Sequence, residues 1–430
     1  MTDATDDLPC AEPEFVGPSL WRQRDFMLLW GGQTVSEMGS AVTEIALPLV
    51  AVVALQASTF EVGLLTAAAT AAFAVIALPA GALVDRRSKR SVMIVCNVLR
   101  LLIIGSVPVA AAFGDLTMTQ LYVVAATAGV CTVFFDVSYQ SYVPSLIRAE
   151  QRMDANGKLG TTQAFALLGG PGLGGGLVAV FGAAAAMTAD AVSYLVSVVS
   201  ISGIRAREEP PAVRQTGETL RGRIAEGLRF VFGHEVLRWI VACTATANLF
   251  GGMGSALATI FLVRELHVRP GLLGLVMAGA AVGGVAGGAC AGRLARRIGS
   301  ARVIWVSMLV FSAPQVIAAT ARPGWGVLLF PLGWGIEYFA GMVYNIAQLS
   351  YRQSVTPPEL MGRMNAAVRW VVWGTLPLGG VLGGVLGTQI GVRPTLWLAF
   401  TGSWAAGWFV FLSPLRRMRD VPAPAAATHA

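Results

Sequence analysis

Gly81-Ala82-Leu83-Val84-Asp85-Arg86-Arg87-Ser88-Lys89-Arg90 stands between two long apolar runs, 60–84 and 91–113. Four cations and a carboxylate crowd into positions 85–90, and charge of that density does not stay in hydrocarbon. The stretch therefore marks a point where the chain leaves an apolar medium and turns back, with Gly81 suited to a sharp turn. An echo follows 211 residues later: Gly292-Arg293-Leu294-Ala295-Arg296-Arg297 ends the apolar run 271–292. Asn156 and Asn365 repeat at an offset of 209. The chain reads as two similar halves.

Composition agrees with an apolar solvent. The 430 residues are 55% hydrophobic and only 13% charged, with a mean hydropathy of +0.65. A soluble domain carries about 25% charged residues. The net charge of +7 does not indicate nucleic acid, because the cations fall in short clusters between apolar runs. Cys10, Cys96, Cys131, Cys243 and Cys290 are scattered without CxxC spacing, so neither a disulfide framework nor a metal site is expected. The acidic, polar N-terminus does not resemble a cleavable signal peptide.

A spanning helix needs about 20 apolar residues. Twelve runs satisfy this: 26–54, 60–84, 91–113, 117–140, 156–181, 184–204, 237–262, 271–292, 301–320, 325–349, 365–388 and 395–413. The expected fold is an all-α membrane protein. An N-terminal tail, 1–25, precedes a first half, 26–204. A polar linker, 205–236, leads to a second half, 237–413, and a tail, 414–430, follows. The linker contains an amphipathic piece, Ile224 to Phe230. Of the 31 Lys and Arg residues, 26 fall on the side shared with the termini and four (Arg264, Arg269, Arg322, Arg393) on the other, with Arg100 inside a span. The positive-inside rule then places both termini in the cytoplasm.

The stretch 81–90 resembles the signature loop of the major facilitator superfamily, G-x-L-a-D-r-x-G-r-[KR], with Ser88 in place of the usual Gly. Gly170-Pro171-Gly172-Leu173-Gly174-Gly175 is similar to that family's antiporter motif; Gly157 fits its first Gly and Ala166 replaces the second. Ser36 to Ser40 leading to Ala46-Leu47-Pro48-Leu49, Tyr139 to Pro144 and Asp190 to Tyr194 resemble the macrolide-efflux and enterobactin-exporter branch. The resemblance implies twelve spanning helices in two parallel six-helix halves, a substrate site between the halves, and secondary active transport in a multi-pass cell-membrane protein. The antiporter-like motif, Gly157, Gly170, Pro171, Gly174 and Gly175, implies export. The gating loop would comprise Gly81, Asp85, Arg86, Lys89 and Arg90, with Asp85 meeting the start of the eleventh span near Arg363 and Arg369.

Ionisable groups inside spans cost about 3 kcal/mol each on insertion scales, so each asks for a reason. Glu37 and Glu44, seven residues apart, return to one helical face about 10 Å apart. Arg100, Asp136 and Glu337 lie in the third, fourth and tenth spans. The expectation is that Glu37, Glu44 and Glu337 carry protons or contact cationic cargo, and that Asp136 is a structural partner. Arg100 either shares that role or forms a permanent ion pair with Glu37. Trp334 and Tyr338, joined by Tyr344, are candidates for an aromatic wall facing a ligand. Asp190 is expected to cap the start of the sixth span.

The expected partners are a small amphipathic molecule (a drug, antibiotic or siderophore-like metabolite), protons and the bilayer, handled by a monomer without cofactor. Without a nucleophile elbow, metal cluster or Walker A loop, the chain does not read as an enzyme. Import of a metabolite and a non-transporting receptor are the competing functions.

Overall fold

The computed structural model describes residues 20–76, 80, 83–84, 87–147, 151–206, 220–357 and 360–421. All regular structure among them is helical. The first part holds α1 (Arg24–Leu49), α2 (Thr59–Val75), α3 (Lys89–Phe113), α4 (Met118–Leu146), α5 (Arg152–Phe181) and α6 (Ala183–Ser202). A shorter α7 (Leu220–Gly233) leads to α8 (Leu237–Ile260), α9 (Pro270–Ile298), α10 (Arg302–Val306), α11 (Leu329–Val355), α12 (Met361–Gln389), α13 (Val392–Ala405) and α14 (Gly407–Leu412). Among the described residues, ten helical stretches are long and apolar enough to cross a bilayer; α2 and the apolar Leu168–Phe181 portion of α5 are shorter.

Local chemistry sets the boundaries. Ser58 and Glu61 form a capping box at the start of α2, each satisfying an otherwise orphaned donor. Gly182, at φ 83°, is the whole connection between α5 and α6, and only glycine takes that conformation without strain. The run 301–320, expected as one helix, is broken. After α10 the backbone passes through a π turn, Ser307–Phe311, and a 3-10 stretch, Ala313–Thr320. Pro314 lacks the amide that would continue the α-helical ladder. The run 395–413 likewise divides at Ala406 into α13 and α14.

Two further irregularities mirror each other. α1 ends in a π turn, Val50–Ala54, and α8 in another, Phe261–Glu265. Each is followed by a non-glycine residue in the left-handed region, Gln56 at φ 50° and His267 at φ 56°. The spacing of 211 is the offset of the sequence echo.

Within the first part, α1 packs on α5 and α6, α3 on α4 and α6, and α2 on α4; within the second, α8 packs on α12 and α13, and α9 on α11. Two seams join the parts, α2 against α12 and α5 against α9. Both use backbone contact. A methyl group at Gly63 would lie 2.6 Å from Gly384 Cα, and one at Gly175 would lie 2.8 Å from Gly274 Cα. Such small residues let helices approach where lipid supplies no hydrophobic drive.

The cores show which end is closed. At the end carrying the π turns, Val42, Leu49, Val52 and Val62 share one buried cluster with Leu257, Phe261, Leu262 and Leu273. At the opposite end the cores are separate. One gathers Leu20, Phe26, Met93, Tyr142 and Ile201; the other gathers Val231, Leu237, Met364, Val368 and Leu415. The two parts are thus sealed at the end far from the termini and distinct at the end near them. Arg264 adds a hydrogen bond across the far end, to the Ala57 carbonyl at 2.6 Å.

The amphipathic linker piece is α7, which lies on the start of α12. Its Glu226 pairs with Arg363. Gly227 lets the Arg363 carbonyl close in.

Candidate transport cavity

A cavity of about 470 Å³ lies among α8, α9, the broken span after α10, α11, α12 and α13. α11 gives it a polar stripe. Glu337, Tyr338, Gly341, Asn345, Gln348 and Arg352 all line it, recurring every three or four residues on one helical face. α8 contributes Thr244 and Asn248, and α12 contributes Arg369 and Trp373.

The stripe is hydrogen-bonded in sequence. Ser403 reaches Glu337 Oε1 at 3.5 Å. Thr244 and Tyr344 join hydroxyls at 2.7 Å. Gln348 donates to Asn345 at 3.0 Å. Arg352 donates to Gln348 Oε1 at 3.4 Å and to Asn365 Oδ1 at 2.6 Å. The Asn248 amide nitrogen is occupied by the Val372 carbonyl at 3.0 Å, so its oxygen is the group left to accept from a ligand.

Across the gap, Glu37 is half-buried on α1 and accepts from Gln33 Nε2 at 2.7 Å. Glu44 is exposed on the same helix, within electrostatic reach of Glu37 and Tyr338. Asp136 is half-buried on α4 and feels Arg100, Glu37 and, from the other side of the gap, Arg369. The candidate carboxylates Glu37, Glu44, Asp136 and Glu337 therefore come from both parts of the chain and face the region between them.

Arg100 does not form the alternative ion pair with Glu37. It is 4% exposed and sits between the rings of Phe135 and Tyr194, 5.1 and 5.3 Å from their centroids. Its only hydrogen-bond partner among the described residues is Asn97 Oδ1 at 3.4 Å. Aromatic faces stabilise the guanidinium by their quadrupoles, and it makes no ion pair with a carboxylate among the described residues although Asp136 lies within its electrostatic reach. The expected aromatic wall is also split. Tyr338, 39% exposed, lines the cavity, whereas Trp334, 6% exposed, is packed against Phe330 and Phe400 at ring distances of 5.0 and 5.7 Å. Tyr344 lines the cavity but is itself buried. Asp190 does not cap a helix. It is the eighth residue of α6, fully buried, and accepts from the Ser193 hydroxyl at 3.2 Å.

Of the expected gating loop, Gly81, Asp85 and Arg86 lie outside the described residues. Lys89 opens α3, and Arg90 donates to the carbonyls of Ile201 and Ser202 at 3.1 and 2.5 Å, closing the C-terminal end of α6 where a cation is favoured. Gly157, Gly170, Pro171, Gly174 and Gly175 all fall in α5. Gly170 and Gly174 abut α1 at Ala41 and Val42, while Pro171 and Gly175 abut α9 at Gly274. The motif thus faces two helices at once. Sequence reasoning passed over Asn248, Asn345, Gln348 and Arg352. The signal was present: polar side chains at helical spacing through the run 325–349 and just beyond it.

The comparisons bear on this geometry. The family model for transmembrane secretion effectors matches residues 18–429. The multidrug efflux pump Tap of Mycolicibacterium fortuitum is 26% identical over 375 residues, covering 83% of this chain and 88% of that protein. Macrolide efflux protein A of Streptococcus pyogenes is 21% identical over 388 residues, covering 89% and 93%. Among solved structures, a bacterial homologue of the iron transporter ferroportin in its inward-facing state superposes with a TM-score of 0.75 at 15% identity, covering 90% of this chain and 98% of that one. The nucleoside transporter NupG gives 0.71 at 13%, covering 92% and 99%. These structures show a shared fold. With a family match over nearly the full chain, a helical bundle of membrane-crossing length and a polar cavity within it, the protein belongs to the transmembrane secretion effector family of major facilitator transporters.

Proposed function

We propose that this transporter is a proton-coupled exporter of amphipathic small molecules. In this reading twelve helices form two six-helix halves, 26–204 and 237–413, joined by the linker 205–236, with both termini cytoplasmic and the chain acting as a monomer in the cell membrane. The observation that carries it is the asymmetry of the cores. Cargo reaches the cavity from the end where the two cores are separate, and must leave where they are now joined. The names of the relatives, both efflux proteins, support the outward direction.

Coupling follows from the carboxylates. A charged group without a cationic partner in a dry site is costly, and a change of hydration as the halves rock gives it reason to take up and release a proton. Glu37 is the chief carrier, with Glu44 one face-repeat away and Glu337 opposite. Asp85 acts as a gate contact, so Asp85→Asn slows transport without weakening binding.

The test is export from proteoliposomes under an imposed pH gradient. Glu37→Gln keeps the Gln33 contact but removes the charge change, so binding should persist and gradient-driven export should fail. Glu44→Gln should be milder. Full gradient-driven export by the Glu37→Gln/Glu44→Gln double variant would dismiss α1 as the coupling element.

A further inference from the structure

Two cations line the cavity, and neither forms an ion pair among the described residues. Arg352 is 7% exposed, in the last turn of α11, and its partners are neutral amides, Gln348 and Asn365; its Nε has no partner among the described residues. Arg369, on α12, is exposed in the cavity and makes no ion pair among the described residues. The tie from Arg352 to Asn365 joins α11 to α12, which a neutral side chain could do. It does not explain why a cation is held there. A buried charge without a counter-charge is among the most expensive features a protein carries. Glu337, the one acid lining this cavity among the described residues, is 15 residues from Arg352 on the same helix, about 22 Å along the axis. Asp136, which belongs to the opposite part of the chain, is within electrostatic reach of Arg369.

Between the two ends Met308, Val372, Leu376 and Trp373 give the cavity an apolar and aromatic side beside Tyr338. A guanidinium pair at the open end, an apolar middle and an amide-lined wall match one kind of molecule.

We propose that Arg352 and Arg369 receive the oxyanion head of an anionic amphipathic molecule, a carboxylate in the simplest case, whose apolar body lies on Trp373 and Val372. Arg369 contacts the head directly, and Arg352, with Asn345 and Gln348, forms the floor beneath it. Asp136 competes with the ligand for Arg369. The inference rests on the transport reading of the cavity and gives it a substrate class.

The experiment uses the full chain in lipid nanodiscs and three probes of one size: 2-naphthoate, 2-naphthamide and 2-naphthylmethylammonium. Binding is measured by equilibrium dialysis, with empty nanodiscs subtracted. A charge-assisted contact exceeds a neutral one by enough to make 2-naphthoate bind about tenfold tighter than the amide. Arg369→Gln should bring the two within about twofold, mainly by weakening 2-naphthoate, and Arg369→Lys should keep part of the preference. Asp136→Asn, by removing the competitor, should tighten 2-naphthoate alone. Arg352→Gln should lose the preference too; Arg369→Gln, at an exposed position, settles the matter if Arg352→Gln fails to fold. Equal binding of naphthoate and naphthamide to the unaltered protein, tighter binding of the ammonium probe, or a preference that survives Arg369→Gln would each overturn the proposal. A naphthoate preference in a protein that moves no cargo across proteoliposomes would leave this site standing and reject the exporter reading. Export without any charge preference would do the reverse.

Discussion

The seam between α2 and α12 offers the most direct perturbation of the closed end. A methyl group at Gly63 would lie 2.6 Å from Gly384 Cα, 2.7 Å from the Gly380 carbonyl oxygen and 2.8 Å from Gly384 N. All three are backbone atoms, so no side chain can turn aside. Carbon contacts relax at about 3.5 Å, so Gly63→Ala must part the helices by roughly 1 Å at this point. Overpacking of that kind costs about 1–3 kcal/mol. Because the contact exists where the two parts are joined, the cost falls on the far-end-closed state and spares a state in which the seam is parted. The ratio of the two should shift by about 5- to 150-fold. Spin labels at Gln56 and Ile390, one on each side of the far end, would read this by pulsed electron resonance in a background without reactive cysteines. The expected result is a longer-distance population in Gly63→Ala that is absent in Gly31→Ala, where a methyl group meets nothing within 4 Å. An unchanged distance distribution in Gly63→Ala would refute the seam as the element that holds the far end shut.

Arg264→Ala removes the bond to the Ala57 carbonyl and should open the same end more weakly, by about three- to tenfold, since one charge-assisted hydrogen bond is at stake; the same label pair reports it. Trp334→Ala should cost about 3–5 kcal/mol in unfolding free energy, because the ring is core, whereas Tyr338→Ala should alter ligand affinity and leave thermal stability nearly unchanged. Outside the spans, burial holds the His234 imidazole below its ordinary value of 6.5, and its Nδ1 accepts from the amides of Val236 and Leu237 at 3.2 and 3.3 Å. The unfolded chain then binds the extra proton, so the stability of this helix start is complete above pH 6.5 and declines as pH falls below it. The protection factors of Leu237 to Ile240, hydrogen-exchange rates taken relative to the unfolded chain at the same pH, should fall on acidification in the native chain and lose that dependence in His234→Asn.

The order of apolar runs was legible because hydrocarbon imposes a length on every element and a cation count on every loop. Residues 91–113 and 184–204 fall close to α3 and α6 for that reason. Hydropathy is blind to backbone bonding. Nothing in the apolar count of 301–320 separates an α-helix from the π and 3-10 path that Pro314 helps to impose. Charges were legible as positions and not as pairs. Glu37 and Arg100 look like natural partners in a list of intramembrane ions, yet Phe135 and Tyr194 take the guanidinium, and aromatic neighbours drawn from two other helices leave no local pattern. The cavity stripe on α11 was partly visible. Glu337 and Tyr338 stood out, while Asn345 and Gln348 were passed over because an uncharged amide in a span does not raise the question that a buried charge does.

The paired π turns at Val50–Ala54 and Phe261–Glu265 have a kinetic meaning. A π turn accommodates one residue more than an α turn and its hydrogen bonds are the poorer for it, so a helix can exchange it for regular bonding without first melting. Each lies where α1 or α8 ends in the shared core, two residues before a left-handed residue. The lock at the far end is therefore built from backbone already poised between two bonding patterns. A shift of hydrogen-bond register by one residue in each repeat would break fewer bonds than unwinding a complete helical turn.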